Sequence, residues 1–303
     1  MAIDLNLLLK AYASGIFPMA DARDDPETFW VEPQMRAILP LDKFRCSRSL
    51  HKTIRANRFR VTADTDFAQV IDICAQSASD RQETWINAEI EAAFNALHQA
   101  GYAHSVECWR TDPESGEERL VGGLYGLAQG RVFCGESMFS RESDASKVAL
   151  AWLVARLNVG GYTLLDCQFI TDHLASMGAI EMPQEDYLDR LQDALAQPPS
   201  SVSANRSPIK SAGAFSGAER GASTGAGLTI GGAAAGGAAG VGAGVTGVGT
   251  GPSSAGAEGA FEALDVMLAR LDDEDRGAVG SAASLGGLSS PGKLISHLLT
   301  QTS

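Results

Sequence analysis

The sequence predicts an α+β fold, followed by a C-terminal tail of different composition. Apolar residues recur every three or four positions through much of residues 5–100, which is typical of helices. Alternating or continuous apolar runs typical of strands occupy residues 103–138. Of the 33 glycines, 11 precede residue 198 and 22 follow it. We therefore expect a folded body at 1–197 and a mostly disordered Gly/Ala/Ser-rich tail at 198–303, which has too few large side chains to offset the entropy of ordering.

The elements of the body follow from their residues in order. Leu5, Leu8, Leu9 and Tyr12 form one apolar stripe, and Gly15 ends that first helix. The predicted helices are Leu5–Ser14, Ser47–Asn57, Thr65–Ala75, Ile86–Ala100, Asp144–Asn158 with Ser143 as its cap, Thr171–Met177 and Glu185–Ala196. The predicted strands are Phe59–Ala63, Ala103–Thr111, Glu118–Ala128, Arg131–Met138 and Tyr162–Phe169, with a hairpin turn at Gln129-Gly130 and an irregular segment around Trp30 and Pro33.

Antiparallel strands that lead into a helix and a further strand are typical of acyltransferases of the N-acetyltransferase (GNAT) type. We expect a small N-terminal domain at 1–62 and a GNAT-like catalytic domain at 63–197. Enzymes of that type hold the coenzyme A pyrophosphate on a glycine-containing loop that opens the central helix. The corresponding stretch here, Phe139–Ser146, has no glycine and two acids. A donor other than acyl-coenzyme A is therefore indicated.

Charge is unevenly distributed in this acidic chain, whose net charge is −13. The segment Lys43–Arg60 holds seven basic residues and no acid. Arg48, Lys52 and Arg55 are spaced so that they share one face of a helix. Such a face fits a phosphate backbone. The alternative, a solvated face whose arginines pair with acids elsewhere, stays open at this point.

Compartment and cofactor predictions come from what the sequence lacks. The five cysteines are odd in number and widely spaced, without a CxxC pair, which favours reduced thiols and argues against a disulfide framework or a metal site. We find no run of about 18 apolar residues, and the N-terminus lacks the basic region of a signal peptide. The sequence therefore predicts a cytoplasmic protein without a membrane partner.

Ten short motifs in the body, taken together, point to one family. The most specific are Gly135-Glu136-Ser137-Met138-Phe139-Ser140, Ala145-Ser146-Lys147 and Leu165-Asp166-Cys167-Gln168 with His173-Leu174; the others include Gly15-Ile16-Phe17-Pro18, Arg36, Thr84-Trp85-Ile86, His104-Ser105-Val106-Glu107 and Leu120–Gly126. Over residues 1–195 the sequence resembles the leucyl/phenylalanyl-tRNA–protein transferase family. The resemblance implies transfer of Leu, Phe or Met from aminoacyl-tRNA to proteins that begin with Lys or Arg, which marks them for the bacterial N-degron pathway of protein degradation.

The resemblance also implies catalytic roles. Asp166 would polarise Gln168, whose side-chain oxygen receives a hydrogen from the acceptor amine, and Glu136 would lie near the acceptor. The spacing of Asp166 and Gln168 independently predicts that both lie on one face of a strand. Because the aminoacyl ester is already activated, we expect no cofactor, metal or covalent nucleophile. The enzyme would position amine and ester and assist the proton transfer.

Substrate-binding residues are assigned by the same resemblance. The donor side chain would enter an apolar pocket lined by Leu124, Met138, Leu150, Leu153 and Leu165, positions that pattern alone would place in an ordinary core. Tyr12 would stack on the tRNA 3′ end, whereas Met19 stands where many members carry Trp. Arg48, Lys52 and Arg55 would contact phosphates of the acceptor stem.

Three other functions remain compatible with the sequence. One is an acyl-coenzyme A-dependent N-acyltransferase, and a second is an aminoacyl-tRNA-dependent transferase that acts on peptidoglycan precursors. The third is a non-catalytic RNA-binding module, which leaves Asp166, Gln168 and Glu136 without a role. Within the tail, Glu258–Arg276 predicts a short amphipathic helix with Phe261, Leu264, Leu268 and Leu271 on one face.

Overall fold

A computed structural model describes residues 2–76, 84–197, 260–275 and 290–301. The helices in these residues are α1 (Leu5–Ala13), α2 (Arg48–Arg55), α3 (Phe67–Ala75), α4 (Ala88–Gln99), α5 (Ala145–Val159), α6 (Asp172–Ser176), α7 (Gln184–Leu195), α8 (Ala263–Asp275) and α9 (Pro291–Gln301). The strands are β1 (Phe17–Met19), β2 (Phe29–Val31), β3 (Met35–Ile38), β4 (Arg60–Ala63), β5 (Ala103–Thr111), β6 (Glu118–Gln129), β7 (Val132–Ser140), β8 (Leu164–Gln168) and β9 (Ile180–Pro183).

The main sheet contains seven strands in the order β4-β5-β6-β7-β8-β3-β9. Strands β7 and β8 are parallel, and the other neighbours are antiparallel. The early strand β3 lies between β8 and β9, so that the segment before α2 contributes to the centre of the body. The predicted α+β class is confirmed, with a mixed sheet. The predicted domain boundary between residues 62 and 63 falls inside β4 and stays a prediction.

The sequence missed four short strands and misplaced one cap. Strands β1 and β2 form a separate ribbon within the segment expected to be irregular, and β3 and β9 were not predicted. Each of these strands has three or four residues, too few for an alternating pattern to register. The expectation that Ser143 caps α5 is wrong. Asp144 holds the cap position with a φ of 70°, and the Ser140 hydroxyl accepts the Ser146 amide at 3.2 Å.

Helix α5 lies at the centre of the core. Almost every side chain from Ala145 to Leu157 is buried, because α5 packs on the sheet on one side and on α2, α8 and α9 on the others. Gly122 on β6 allows this approach, since a side chain there would overlap the backbone and Cβ of Ala145. Core packing thus fixes the start of α5 close to the centre of the sheet.

The tail contributes two helices to this core. The amphipathic helix predicted at 258–276 corresponds to α8, and α9 was not predicted. Phe261, Leu264, Ile295 and Leu299 belong to the same apolar cluster as α5. Most of the tail predicted to be disordered lies outside the described residues. Among the helices that are described, none is long and apolar enough to cross a membrane.

Candidate functional site

A β-bulge in β7 places Glu136. Tyr125 pairs with Ser137 and Gly126 pairs with Gly135, so that Glu136 is the extra residue on β7. A bulge bends the strand and redirects the side chain of the extra residue. Gly126 permits the close pairing here, because a side chain at that position would overlap the Cys134 carbonyl oxygen and the Phe133 ring. Glu136 consequently points into a cavity beside β8.

A buried ion pair anchors the end of β8. Asp166 accepts hydrogen bonds from Arg36 at 2.9 Å on Oδ1 and at 2.5 Å on Oδ2, and both side chains are buried. The hydroxyl of Tyr187 donates to Asp166 Oδ2 at 3.0 Å. Arg36 lies between the rings of Phe17 and Tyr187, with its guanidinium carbon 4.6 Å from each centroid, and donates to the Gly15 carbonyl at 3.0 Å. The pKa of Arg36 is raised: burial lowers it, but the charge of Asp166 outweighs that effect.

Gln168 lies two residues after Asp166 and has a left-handed backbone conformation. Its φ is 54°, which is uncommon for a residue with a side chain. The backbone N–H of Gln168 donates to Asp166 Oδ1 at 2.9 Å, and this bond holds the turn. Asp166 thus contacts the main chain of Gln168, while the Gln168 side-chain amide contacts the Gly135 and Cys167 carbonyls; that Asp166 polarises Gln168 stays a prediction. Asp166 therefore helps to fix the backbone of Gln168.

The amide of Gln168 has a preferred orientation. With its nitrogen turned inward, it donates to the Gly135 carbonyl at 2.8 Å and to the Cys167 carbonyl at 3.2 Å. Hydrogen-bond networks decide such assignments, and this one satisfies two donors. In this orientation the Gln168 oxygen lies 3.4 Å from Glu136 Oε1. In the opposite orientation the amide nitrogen occupies that place and makes only a long N–H···O contact. Gln168 thus presents an acceptor oxygen to the cavity.

Glu136 is a buried carboxyl group. Burial raises its pKa from 4.5 to about 8; the Tyr12 hydroxyl opposes this shift, the negative charge of Asp166 adds to it, and the positive charge of Arg36 opposes it. A pKa of about 8 favours the protonated carboxyl at neutral pH. A nearby cation would favour its ionised form.

The cavity beside Glu136 and Gln168 has a volume of about 300 Å³. The structure places all five residues predicted for the donor pocket on its wall: Leu124, Met138, Leu150, Leu153 and Leu165. These side chains come from β6, β7, α5 and β8. The sequence pattern alone predicts core positions for these five residues, and the resemblance predicts a pocket wall. The two predictions are compatible, because these residues pack with the core and also border the cavity.

Other residues of this wall were not predicted to act in the site. They include Trp85, Phe17, Phe169, Met19 and His173. Trp85 and His173 belong to motifs of the family resemblance, and that signal could have drawn attention to them. Burial, and secondarily the charge of Lys147, lower the pKa of His173. Its buried Nε2 has no hydrogen-bond partner among the described residues.

Tyr12 does not present its ring to the cavity. The side chain is buried, and its ring packs edge-on against Phe94 at 6.3 Å between centroids. The expectation that Tyr12 stacks on a tRNA base does not fit this placement. What Tyr12 does offer is its hydroxyl beside Glu136, where it influences that carboxyl.

The predicted basic face lies on α2. Ser47 caps this helix by accepting the Leu50 amide at 3.2 Å, while Leu50 and Ile54 are buried beneath it. Arg48, Lys52 and Arg55 are exposed, and none of them forms an ion pair with another described residue. The alternative in which these cations pair with acids of the body is therefore not observed in the described part.

Among the described residues, no group of three or more His, Cys, Asp or Glu side chains is arranged to hold a metal ion.

Comparisons with known proteins agree with one another. A family model described as leucyl/phenylalanyl-tRNA protein transferase matches residues 38–192, and the model of that family's N-terminal domain matches residues 1–34. A protein of this name from Zymomonas mobilis is 63% identical over 194 residues, which cover 64% of this chain and 70% of the relative. Another from Rhizorhabdus wittichii is 62% identical over 194 residues, covering 64% and 76%.

A relative of the same name from a Ruegeria species is 54% identical over 203 residues, covering 67% of this chain and 92% of the relative. Among solved structures, FemX aligns at 12% identity with a TM-score of 0.40, over 59% of this chain and 66% of FemX. That structural likeness is too weak to carry an argument, so the GNAT-like assignment rests on the element order alone.

The raised pKa of Glu136 predicts a pH-dependent difference in stability. The folded protein keeps this proton up to about pH 8, whereas the unfolded chain releases it near 4.5. Because the folded state binds more protons between these values, Glu136 makes the free energy of unfolding fall as the pH rises through this window. The free energy of unfolding of Glu136→Gln should therefore rise relative to that of wild type between pH 5 and pH 8, by at most about 1.4 kcal/mol per pH unit. Above pH 8 the difference between the two proteins should stay constant.

Urea unfolding at five pH values between 5 and 9 measures this difference. Ser137→Ala, a non-titrating change beside Glu136, should give an offset that does not vary with pH. A pH-independent offset for Glu136→Gln as well would show that the carboxyl is ionised throughout.

Proposed function

Because the chain belongs to the leucyl/phenylalanyl-tRNA protein transferase family, we propose that it transfers Leu, Phe or Met from aminoacyl-tRNA to the N-terminal Lys or Arg of acceptor proteins in the cytoplasm. The observation that carries the proposal is the cavity, where an apolar wall meets Glu136 and Gln168. In the cell such a transfer would mark acceptors for degradation by the N-degron pathway.

The cavity suits the donor amino acid. Its volume of about 300 Å³ is at the lower end of the range for ligand pockets, which fits one side chain better than a large cofactor. Leucine, phenylalanine and methionine have apolar side chains, which match the apolar residues of this wall. Met138 has a flexible thioether that adapts to either an aliphatic or an aromatic side chain.

The proposed reaction is direct aminolysis. The neutral α-amine of the acceptor attacks the ester carbonyl carbon, a C–N bond forms, and the C–O bond to the tRNA ribose breaks. The Gln168 oxygen accepts a hydrogen bond from the amine and orients it, while the proton passes to the departing ribose oxygen directly or through water. An α-amine has an unperturbed pKa of about 7.7–8.0, so at neutral pH a minority of it is uncharged, and this minority can react without a strong base. Positioning is therefore the main task.

Glu136 is the proposed recognition group for a basic acceptor residue. Burial raises the pKa of this carboxyl to about 8 and so favours its neutral form. The guanidinium of Arg or the ammonium of Lys would shift it towards the carboxylate and form a charge-assisted hydrogen bond. A neutral acceptor residue gives no such gain, which provides discrimination at the acceptor position.

The exposed face of α2 is the proposed tRNA contact. Arg48, Lys52 and Arg55 would meet acceptor-stem phosphates, which supply affinity and register without reading sequence. Tyr12 remains a candidate only through its hydroxyl, because its ring is buried.

A transfer assay tests the function directly. Incubation of the full chain with leucyl-tRNA labelled on leucine, and with peptides that differ only in their first residue, should label the peptides that begin with Arg or Lys. Glu136→Gln should reduce the preference for Arg over Ala, because the recognition charge is lost, while Ser137→Ala should keep it. Labelling of all peptides alike, or transfer from acyl-coenzyme A in place of tRNA, would contradict the proposal.

The basic face makes a second prediction. Each phosphate contact contributes a slope of roughly −0.7 to −0.9 to the plot of log affinity against log salt concentration. Replacing Arg48, Lys52 and Arg55 by Ala should therefore flatten that plot for aminoacyl-tRNA by about two to three units. Replacing the exposed cations Lys10, Arg119 and Arg190 provides a control of equal charge and should change the slope much less. If the two triple variants behave alike, α2 is not the tRNA contact.

A further inference from the structure

Helices α8 and α9 lie beyond the residues matched by the two family models, which end at residue 192. They nevertheless use contacts that the body provides. Arg156 on α5 is buried, and its guanidinium donates to both carboxylate oxygens of Asp265 at 2.7 Å and to the Phe261 carbonyl at 2.8 Å. A bidentate Arg–carboxylate pair is among the most specific polar contacts in proteins. The acidic partner of this buried arginine thus comes from the tail.

The side chain of Phe261 fills a site between β5, β7 and α5. Its ring stacks on His104 at 4.1 Å between centroids and on Phe133 at 5.7 Å, and the Arg156 guanidinium carbon lies 4.9 Å from its centroid. Gly160 allows the chain to approach at Ala260, because a side chain at 160 would overlap the Ala260 carbonyl. This arrangement anchors the start of α8 on the body.

The second tail helix, α9, meets the end of α2. The Gly292 N–H donates to Asn57 Oδ1 at 2.9 Å, and His51 Nδ1 lies 3.0 Å from the Ser296 hydroxyl. Gly292 is so close that a side chain there would overlap the Ile54 carbonyl oxygen. Leu294, Ile295 and Leu299 are buried below these contacts.

These contacts place opposite helix ends against each other. The N-terminus of a helix carries partial positive charge and its C-terminus partial negative charge. The first turn of α9 lies against the last turn of α2, so the two ends attract each other. Helix α2 has only eight residues, too few for stability without tertiary contacts. Two of its three exposed cations, Lys52 and Arg55, lie in the turn that α9 supports.

We propose that residues 260–275 and 290–301 form an intramolecular brace that holds the C-terminal turn of α2 in its helical conformation and thereby keeps the basic face ready for tRNA. The inference rests on the proposed function in one respect, namely that α2 contacts tRNA. None of the described residues of the brace lines the cavity at Glu136 and Gln168, so the brace acts on tRNA binding rather than on the transfer step. The body contributes Arg156, His104 and Asn57 to it, and the tail contributes Phe261, Asp265 and Gly292.

The test uses the full chain and three variants. Gly292→Val should displace α9 from α2, and Asp265→Asn should loosen the α8 anchor without changing side-chain shape. Gln301→Ala, at the exposed end of α9, is the control. Three quantities are measured for wild type and each variant. They are the hydrogen exchange of the α2 and α9 amides, the direct binding of charged tRNA, and the single-turnover transfer rate at saturating tRNA.

The brace predicts faster exchange in both α9 and the last turn of α2 for Gly292→Val. It also predicts tRNA affinity lower by about two- to fivefold, the range of a lost helix-end interaction, with the rate at saturation unchanged. Asp265→Asn should change the same quantities in the same direction, and Gln301→Ala should match wild type. Faster exchange in α9 with unaltered α2 exchange or unaltered affinity would overturn the brace.

Failure of the proposed function gives a different result. A wild-type chain that binds charged tRNA but transfers no leucine would refute the transfer activity, while the exchange and affinity measurements would still decide on the brace. A wild-type chain that binds no charged tRNA would overturn both.

Discussion

The buried ion pair between Arg36 and Asp166 connects the parts of the molecule that form the site. Through Arg36 it joins β3, the Gly15 turn and the Phe17 ring, and through Asp166 it joins β8, Tyr187 on α7 and the main chain of Gln168. Removing one partner of such a pair leaves a buried charge uncompensated, at a cost of about 3–5 kcal/mol. The left-handed conformation of Gln168, and hence the direction of its amide, depends on this pair. The geometry of the proposed catalytic site and the stability of the fold therefore depend on one contact.

Much of the fold could be predicted because its long elements carry strong periodic signals. The span of β5 was predicted as Ala103–Thr111, as the structure has it, and α5, β6 and β7 were predicted within one or two residues. The short strands β1, β2, β3 and β9 could not, since three or four residues show no period and their formation depends on distant partners. The insertion of β3 between β8 and β9 is likewise a long-range pairing without local signal.

The residues of the candidate site could be predicted better than their arrangement. Motifs identified Glu136, Asp166 and Gln168, and all five predicted pocket residues lie on one cavity wall. Spacing alone could not reveal the bulge that redirects Glu136 or the positive φ of Gln168. Composition showed a tail with little to bury, but the pairing of Asp265 with Arg156, 109 positions apart, has no local signature. In each case a contact between distant residues decided the outcome.

A double-mutant cycle on the transfer step tests this account most directly. Asp166→Asn preserves shape, and Gln168→Ala removes the proposed acceptor of the amine hydrogen. Each should lower the single-turnover rate by about tenfold to a thousandfold, the range of lost positioning and proton-transfer assistance. If Asp166 acts through Gln168, the double variant should be about as slow as the slower single variant. Fully additive effects, with folding intact by circular dichroism, would show that Asp166 contributes independently and would contradict the account.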